Sequence, residues 1–173
     1  MSAPCNDTSA DPQTHPGHER RATQRALNAW TKAREDDELP DLASLTGGPD
    51  MIEDREVLSA NHFLIMIEAY SSNTVVIFYG SELPNMLVRR NVGKSLRKTL
   101  PSALREIFQD ACTEVADNGE AVHRQGVIST SSGDGVLYRS VFLPLRSAGQ
   151  PERIYVFGAF SNEQGGTLLL AAA

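Results

Sequence analysis

The strand-like segments of this chain are apolar on both of their faces, and no other feature of the sequence constrains the fold as much. Segment 153–160 places Ile154, Val156 and Phe160 on one face and Tyr155, Phe157 and Ala159 on the other. A strand with one face in water carries polar residues at every second position. Both faces of the sheet must therefore be covered by other parts of the chain or by a second subunit.

Strand and helix signals alternate along the chain in a simple order. Strands are predicted at 61–70, 74–79, 121–130, 136–145 and 153–160, where β-branched and aromatic residues are frequent. Between the second and third strands, a short helix is predicted over 82–90, and a longer one begins near Pro101 and ends before Gly119. This order predicts an α+β fold, in which central helices cover one face of a five-stranded antiparallel sheet.

A narrow apolar stripe near the N-terminus predicts an amphipathic helix from His18 to about Asp37. The stripe consists of Ala22, Ala26, Leu27, Trp30 and Ala33. Helices between 82 and 118 can cover only one sheet face, so this helix or a second subunit is expected on the other. The residues predicted to make that contact are Leu27, Trp30, Tyr155 and Phe157.

The length of 173 residues suits one domain with terminal extensions. We predict a disordered tail at 1–17, the helix and a connector at 18–50, the main domain at 51–162 and a second tail at 163–173. The N-terminus has no apolar signal segment, and no apolar run is long enough for a membrane span. The two cysteines, Cys5 and Cys112, do not suggest a disulfide framework. A cytoplasmic protein is therefore expected.

Several landmarks occur in a particular order: Trp30 in the leading helix, Leu39-Pro40-Asp41, a hairpin ending in Tyr79-Gly80, Val92-Gly93-Lys94-Ser95-Leu96, and Tyr138 to Leu145. Together with the order of elements, they resemble the PAS fold, and in particular a short stand-alone bacterial PAS subfamily. Gly80 and Gly93 are the most diagnostic positions for this resemblance, and the alternative interpretation is that each is an ordinary turn glycine. The resemblance implies a non-enzymatic signalling adaptor or sensor that forms homodimers and binds kinases or other regulators.

Few residues suggest catalysis or a cofactor. Neither His62 nor His123 has a metal-ligand partner at a suitable spacing, and the resemblance makes His123 at most an unusual haem ligand, so no cofactor is expected. A pocket between the long helix and the sheet would be lined by Phe78, Leu104, Phe108, Val141 and Val156, but a filled core needs the same residues. The alternative function is a small α+β enzyme that uses His62 or Asp110 in an apolar pocket.

Two further segments carry possible binding functions. Between Leu83 and Arg105 there is no acidic residue, and this stretch is either a solvated connection or a docking patch for an acidic partner surface or an anionic ligand. Its basic residues include Arg89, Arg90, Lys94, Arg97 and Lys98. The net charge of −6 argues against a protein that coats nucleic acid or an anionic membrane through its bulk charge, and no nucleic-acid partner is expected. The ending Leu170, Ala171, Ala172 and Ala173 resembles the tails that Clp-type unfoldases recognise, which implies regulated proteolysis; alternatively, Leu168 to Leu170 pack on the sheet or at a subunit contact.

Overall fold

The computed structural model describes residues 18–34, 38–41, 62–68, 74–79, 93–100, 102–129, 133, 135–146 and 153–162. The elements are α1 (His18–Ala33), β1 (His62–Glu68), β2 (Thr74–Tyr79), α2 (Leu96–Thr99), α3 (Ser102–Asn118), β3 (Val122–Ser129), β4 (Gly135–Leu145) and β5 (Arg153–Asn162). The helix predicted at 82–90 and both predicted tails lie outside the described residues. Among the described helices, none combines the length and apolar character needed to cross a membrane.

The five strands form one antiparallel sheet in the order β2-β1-β5-β4-β3. The first strand in the chain pairs with the last, from His62 opposite Ala159 to Glu68 opposite Arg153. This pairing joins the N-terminal hairpin to the C-terminal three strands across the centre of the sheet. The predicted α+β fold with a five-stranded antiparallel sheet is therefore confirmed.

Helix α3 packs on one face of the sheet, which we call the inner face. Its buried residues recur at helical spacing: Leu104, Phe108, Ala111, Cys112 and Val115. They meet strand residues such as Phe63 and Phe142, together with Leu96 and Leu100 from the segment around α2, in one inner cluster. The helix ends at Gly119, whose backbone φ of 67° is easily adopted only by a residue without a Cβ atom.

Helix α1 packs on the opposite face, which we call the outer face. Ala22, Ala26 and Trp30 form an outer cluster with residues of β4 and β5; those residues are Val141, Leu143, Leu145 and Tyr155. The amphipathic helix of the same chain therefore covers the second apolar face. A second subunit is not needed to shield it.

Candidate interaction surfaces

The predicted pocket between the long helix and the sheet is filled by side chains in the described structure. Leu104, Phe108 and Val156 all belong to the inner cluster. The rings of Phe63, Phe108 and Phe142 contact one another, with centroids 5.0 to 5.2 Å apart. Tilted and edge-on ring pairs at this spacing are favourable packing arrangements, so the described interior has the character of a core.

The other two residues predicted to line that pocket are Val141 and Phe78. The assignment of Val141 was wrong, because this fully buried residue lies in the outer cluster beneath α1. It alternates along β4 with Phe142, which points to the inner face, and successive strand residues point to opposite faces. Phe78 pairs with Leu64 in the β1–β2 ladder, but its side chain is outside the described structure.

The residues considered for catalysis are not brought together. His62 is 2% exposed, and it alternates with Phe63 so that it lies on the outer side of the sheet. Burial lowers the pKa of His62 to about 4, which keeps its imidazole neutral at physiological pH. Asp110 is exposed on α3, on the inner side. The two side chains therefore do not share a pocket.

Cys112 is buried in the inner cluster, whereas His123 is exposed on the outer side of the sheet. Cys112 is buried in the inner cluster, where burial raises the pKa of its thiol to about 12 and suppresses the reactive thiolate. His123 is exposed on β3 and pairs with Val141, so it faces away from α3 and the inner cluster. Among the described residues, no three His, Cys, Asp or Glu side chains are arranged as a metal site.

Contacts between α1 and the rest of the domain include a buried hydrogen bond and an exposed ion pair. The indole Nε1 of Trp30 donates to the carbonyl oxygen of Pro144 over 2.7 Å. At the end of the helix, the Arg34 guanidinium donates to both carboxylate oxygens of Glu120, over 2.8 and 3.0 Å, and lies 5.1 Å from the centroid of the Trp30 ring. The Arg34 bond also lowers the pKa of the Glu120 carboxyl.

The chain that follows α1 is bound to the end of β4. The backbone N–H of Arg146 donates to the carbonyl of Pro40 over 3.0 Å, and Asp41 forms a parallel bridge with Arg146. The Arg146 guanidinium also pairs with Glu38 at 2.5 Å. Of the residues predicted to make the helix contact, Trp30 and Tyr155 are buried in the outer cluster and Leu27 packs against it. The side chain of Phe157 is outside the described structure.

The described part of the predicted basic patch is exposed beside the β2 edge of the sheet. Lys94, Arg97 and Lys98 are exposed, whereas Leu96 and Leu100 are buried and hold this short segment against the core. Ser95 forms an isolated bridge with Val75 of β2. Arg89 and Arg90 lie outside the described residues. We call Lys94, Arg97 and Lys98 the basic surface.

One feature that sequence reasoning missed is a polar groove on the outer face, between α1 and the β3–β4 pair. Its volume is about 550 Å³, and its lining residues are Thr23, Gln24, His123, Arg124, Gln125, Arg139 and Ser140. The sequence of β3 does indicate an open surface, because His123 and Gln125, which point to the outer side, are polar. Alternation of this kind indicates a face that is open to solvent.

Comparison with known proteins supports the same fold. A family model described as the PAS fold matches residues 80–159. A solved structure of Vibrio cholerae VqmA in a complex with a ligand and DNA is similar, with a TM-score of 0.50, 13% identity, and coverage of 69% of this chain and 52% of VqmA. The chain thus spans about half the length of VqmA. The PAS domain of a Colwellia psychrerythraea protein gives a TM-score of 0.46 at 7% identity, covering 65% and 93% of the two chains. No curated protein matches.

Proposed function

We propose that this chain, which carries a PAS domain, is a non-enzymatic signalling adaptor of the cytoplasm that acts by binding other proteins. PAS domains are in general sensory and signalling modules. The observation that carries the choice of protein binding is the inner cluster, where three phenylalanine rings occupy the space between α3 and the sheet. Entry of a small ligand there would require these rings to separate, at a cost in packing energy.

The basic surface is the best candidate for contact with a signalling partner. Its three cationic side chains are exposed on a segment anchored by Leu96 and Leu100, so their positions relative to the domain are fixed. The stretch from Leu83 to Arg105 contains no acidic residue that could offset them, although the chain as a whole has a net charge of −6. An acidic surface on a kinase or another regulator fits this charge distribution. Nucleic acid is not proposed, given the acidic balance of the chain.

A pull-down from cell extract with salt titration tests this contact. The variant Arg97→Glu with Lys98→Glu should lose partners that wild type retains, and those partners should dissociate from wild type as salt increases, because screening shortens the range of charge interactions. The matched control is Lys32→Glu, an exposed lysine of α1 on the other side of the sheet. Equal partner sets for wild type and the double variant would contradict the proposal.

We also propose that the chain forms homodimers, but through a surface other than the contact of Trp30 and Tyr155 that the sequence predicted. Trp30 and Tyr155 are already buried within one chain, so they are not available to a second copy while α1 is docked. Self-association would have to use surfaces that α1 leaves open. Light scattering over a range of protein concentrations tests it: a mass of twice the chain is expected, and the mass of a single chain at every concentration would contradict it.

Regulated proteolysis through the C-terminal residues also remains a proposal. Leu170, Ala171, Ala172 and Ala173 lie outside the described residues, and the support for this role is their resemblance to endings that Clp-type proteases recognise. The variant Ala172→Asp with Ala173→Asp should be degraded more slowly in cells after synthesis is blocked. Ala103→Asp, at an exposed position of α3, is the matched control, because it adds negative charge elsewhere. Equal half-lives for wild type and the tail variant would contradict this role.

A further inference from the structure

Part of the outer face remains open where α1 does not reach. On β3, the side chains of His123, Gln125 and Val127 are exposed, although the outer face of the neighbouring strands is buried beneath the helix. Val127 is 64% exposed and Leu137 on β4 is 46% exposed, and these are the large apolar side chains that the described part of the chain leaves open to solvent. We call His123, Gln125, Val127, Leu137 and Arg139 the β3–β4 surface.

The register of the two strands arranges this surface as two adjacent pairs. Gln125 is opposite Arg139, and Val127 is opposite Leu137. The intervening pair points to the inner face, so a polar pair and an apolar pair lie next to each other on the outer side. Two residues along a strand correspond to about 6.6 to 7 Å. The groove of about 550 Å³ adjoins the polar pair, and Thr23 and Gln24 of α1 form its other wall.

The groove is suited to a negatively charged group. None of the seven lining residues is acidic, and those that belong to α1 or to the outward strand positions are Thr23, Gln24, His123, Gln125 and Arg139. The Arg124 side chain points to the inner side, where it pairs with Glu114 of α3, whereas Arg139 lies on the outer side beside the groove. A carboxylate next to an arginine gains charge-assisted hydrogen bonds, and neighbouring amides and hydroxyls can add neutral ones.

We propose that the β3–β4 surface binds a linear acidic peptide segment of a partner protein, with a carboxylate in the groove near Arg139 and an apolar side chain on Val127 and Leu137. In an extended peptide, residues i and i+2 project on the same side with the spacing that separates the two pairs. A small free anion would use the groove but leave the apolar pair uncovered. The proposal rests on the proposed adaptor function, but its site is at the β3 edge of the sheet, opposite the basic surface at the β2 edge.

Nitrogen-15 NMR of the full chain with synthetic peptides tests this binding at millimolar concentration. The probe is acetyl-Glu-Ser-Leu-Ser-Glu-amide, which should shift the resonances of the β3–β4 surface. In one control peptide, lysines replace both glutamates; in the other, serine replaces the leucine. Each should bind at least about tenfold more weakly, as expected when a charge-assisted contact or an apolar anchor is removed. Inorganic phosphate should shift groove resonances but not those of Val127 and Leu137.

Two single substitutions locate the site and separate it from the basic surface. Arg139→Gln and Leu137→Ser should each weaken binding of the acidic probe about tenfold or more. Arg97→Gln, at the opposite edge, should leave it unchanged. No shift with the acidic probe, or equal binding of all three peptides, would overturn the proposal. The pull-down with the Arg97 and Lys98 variant reports on the adaptor function independently.

The tail of the chain itself is the competing occupant. Asn162, the last residue of β5, is opposite Tyr138 on β4, and residues 163–173 lie outside the described part of the chain. The variant Leu168→Ser, Leu169→Ser, Leu170→Ser distinguishes the two occupants in the absence of any peptide. The proposal expects its Val127 and Leu137 resonances to match those of wild type. Large shifts confined to those two residues would instead assign the surface to the tail.

Discussion

Replacing Trp30 tests whether α1 is an integral part of the domain. The side chain is 4% exposed in the outer cluster, and its indole N–H is bonded to the Pro144 carbonyl. Trp30→Phe keeps most of the apolar burial but removes the donor, which should lower the free energy of unfolding by about 1 to 3 kcal/mol. Trp30→Ala also creates a cavity, so its cost should be about 3 to 5 kcal/mol.

Urea denaturation followed by circular dichroism measures both changes. Hydrogen exchange followed by mass spectrometry reports on α1 separately, and its amides should lose protection in Trp30→Ala before those of β5 do. The control is Lys32→Ala, because Lys32 is exposed two residues further along the same helix and should change stability by no more than about 0.5 kcal/mol. A Trp30→Ala protein with the stability and α1 protection of wild type would refute this description of the outer face.

Three further predictions concern buried positions. Burial lowers the pKa of His62 to about 4, so between pH 6.5 and 4 the unfolded chain binds a proton that the native state does not bind. The free energy of unfolding should therefore decrease by about 3 kcal/mol as the pH is lowered from 6.5 to 4. Urea melts of His62→Gln should lack this decrease. In a Cys5→Ser background, Cys112 should react with a thiol reagent only as fast as the protein unfolds, and rapid labelling of the native state would contradict its burial. Gly158→Ala should lower stability by at least about 1 to 3 kcal/mol in the same urea assay, because a Cβ atom there would collide with both the Phe63 ring and the backbone carbonyl oxygen of Val141; an unchanged midpoint would contradict this close packing.

Much of the fold was predictable because local signals coincide with element ends. The third strand was predicted at 121–130 and is Val122–Ser129. The long helix was predicted to begin near Pro101 and to end before Gly119, and it is Ser102–Asn118. The facing of β4 was harder to predict, because residues 141–145 are apolar at every position and their alternation gives no signal. For this reason Val141 was assigned to the wrong side of the sheet.

The position of α1 and the groove depend on contacts between distant parts of the chain. The apolar stripe of α1 could be buried equally well against its own sheet or against another subunit, so its periodicity does not distinguish docking within the chain from dimerisation. The hydrogen bond from Trp30 to Pro144 joins residues 114 positions apart, so no local sequence pattern could predict it. The groove arises only where α1 passes beside β3, so Arg139 becomes a binding candidate through three-dimensional packing alone.

Native mass spectrometry of the chain, affinity-purified from its cells without denaturation, determines whether it acts by binding other proteins. An absorption spectrum of the same sample accompanies it. We expect complexes of the chain with other proteins or with itself, chain masses without a bound small molecule, and no absorption from haem or flavin. A chain that carries a stoichiometric small molecule and has no protein partner would contradict the account.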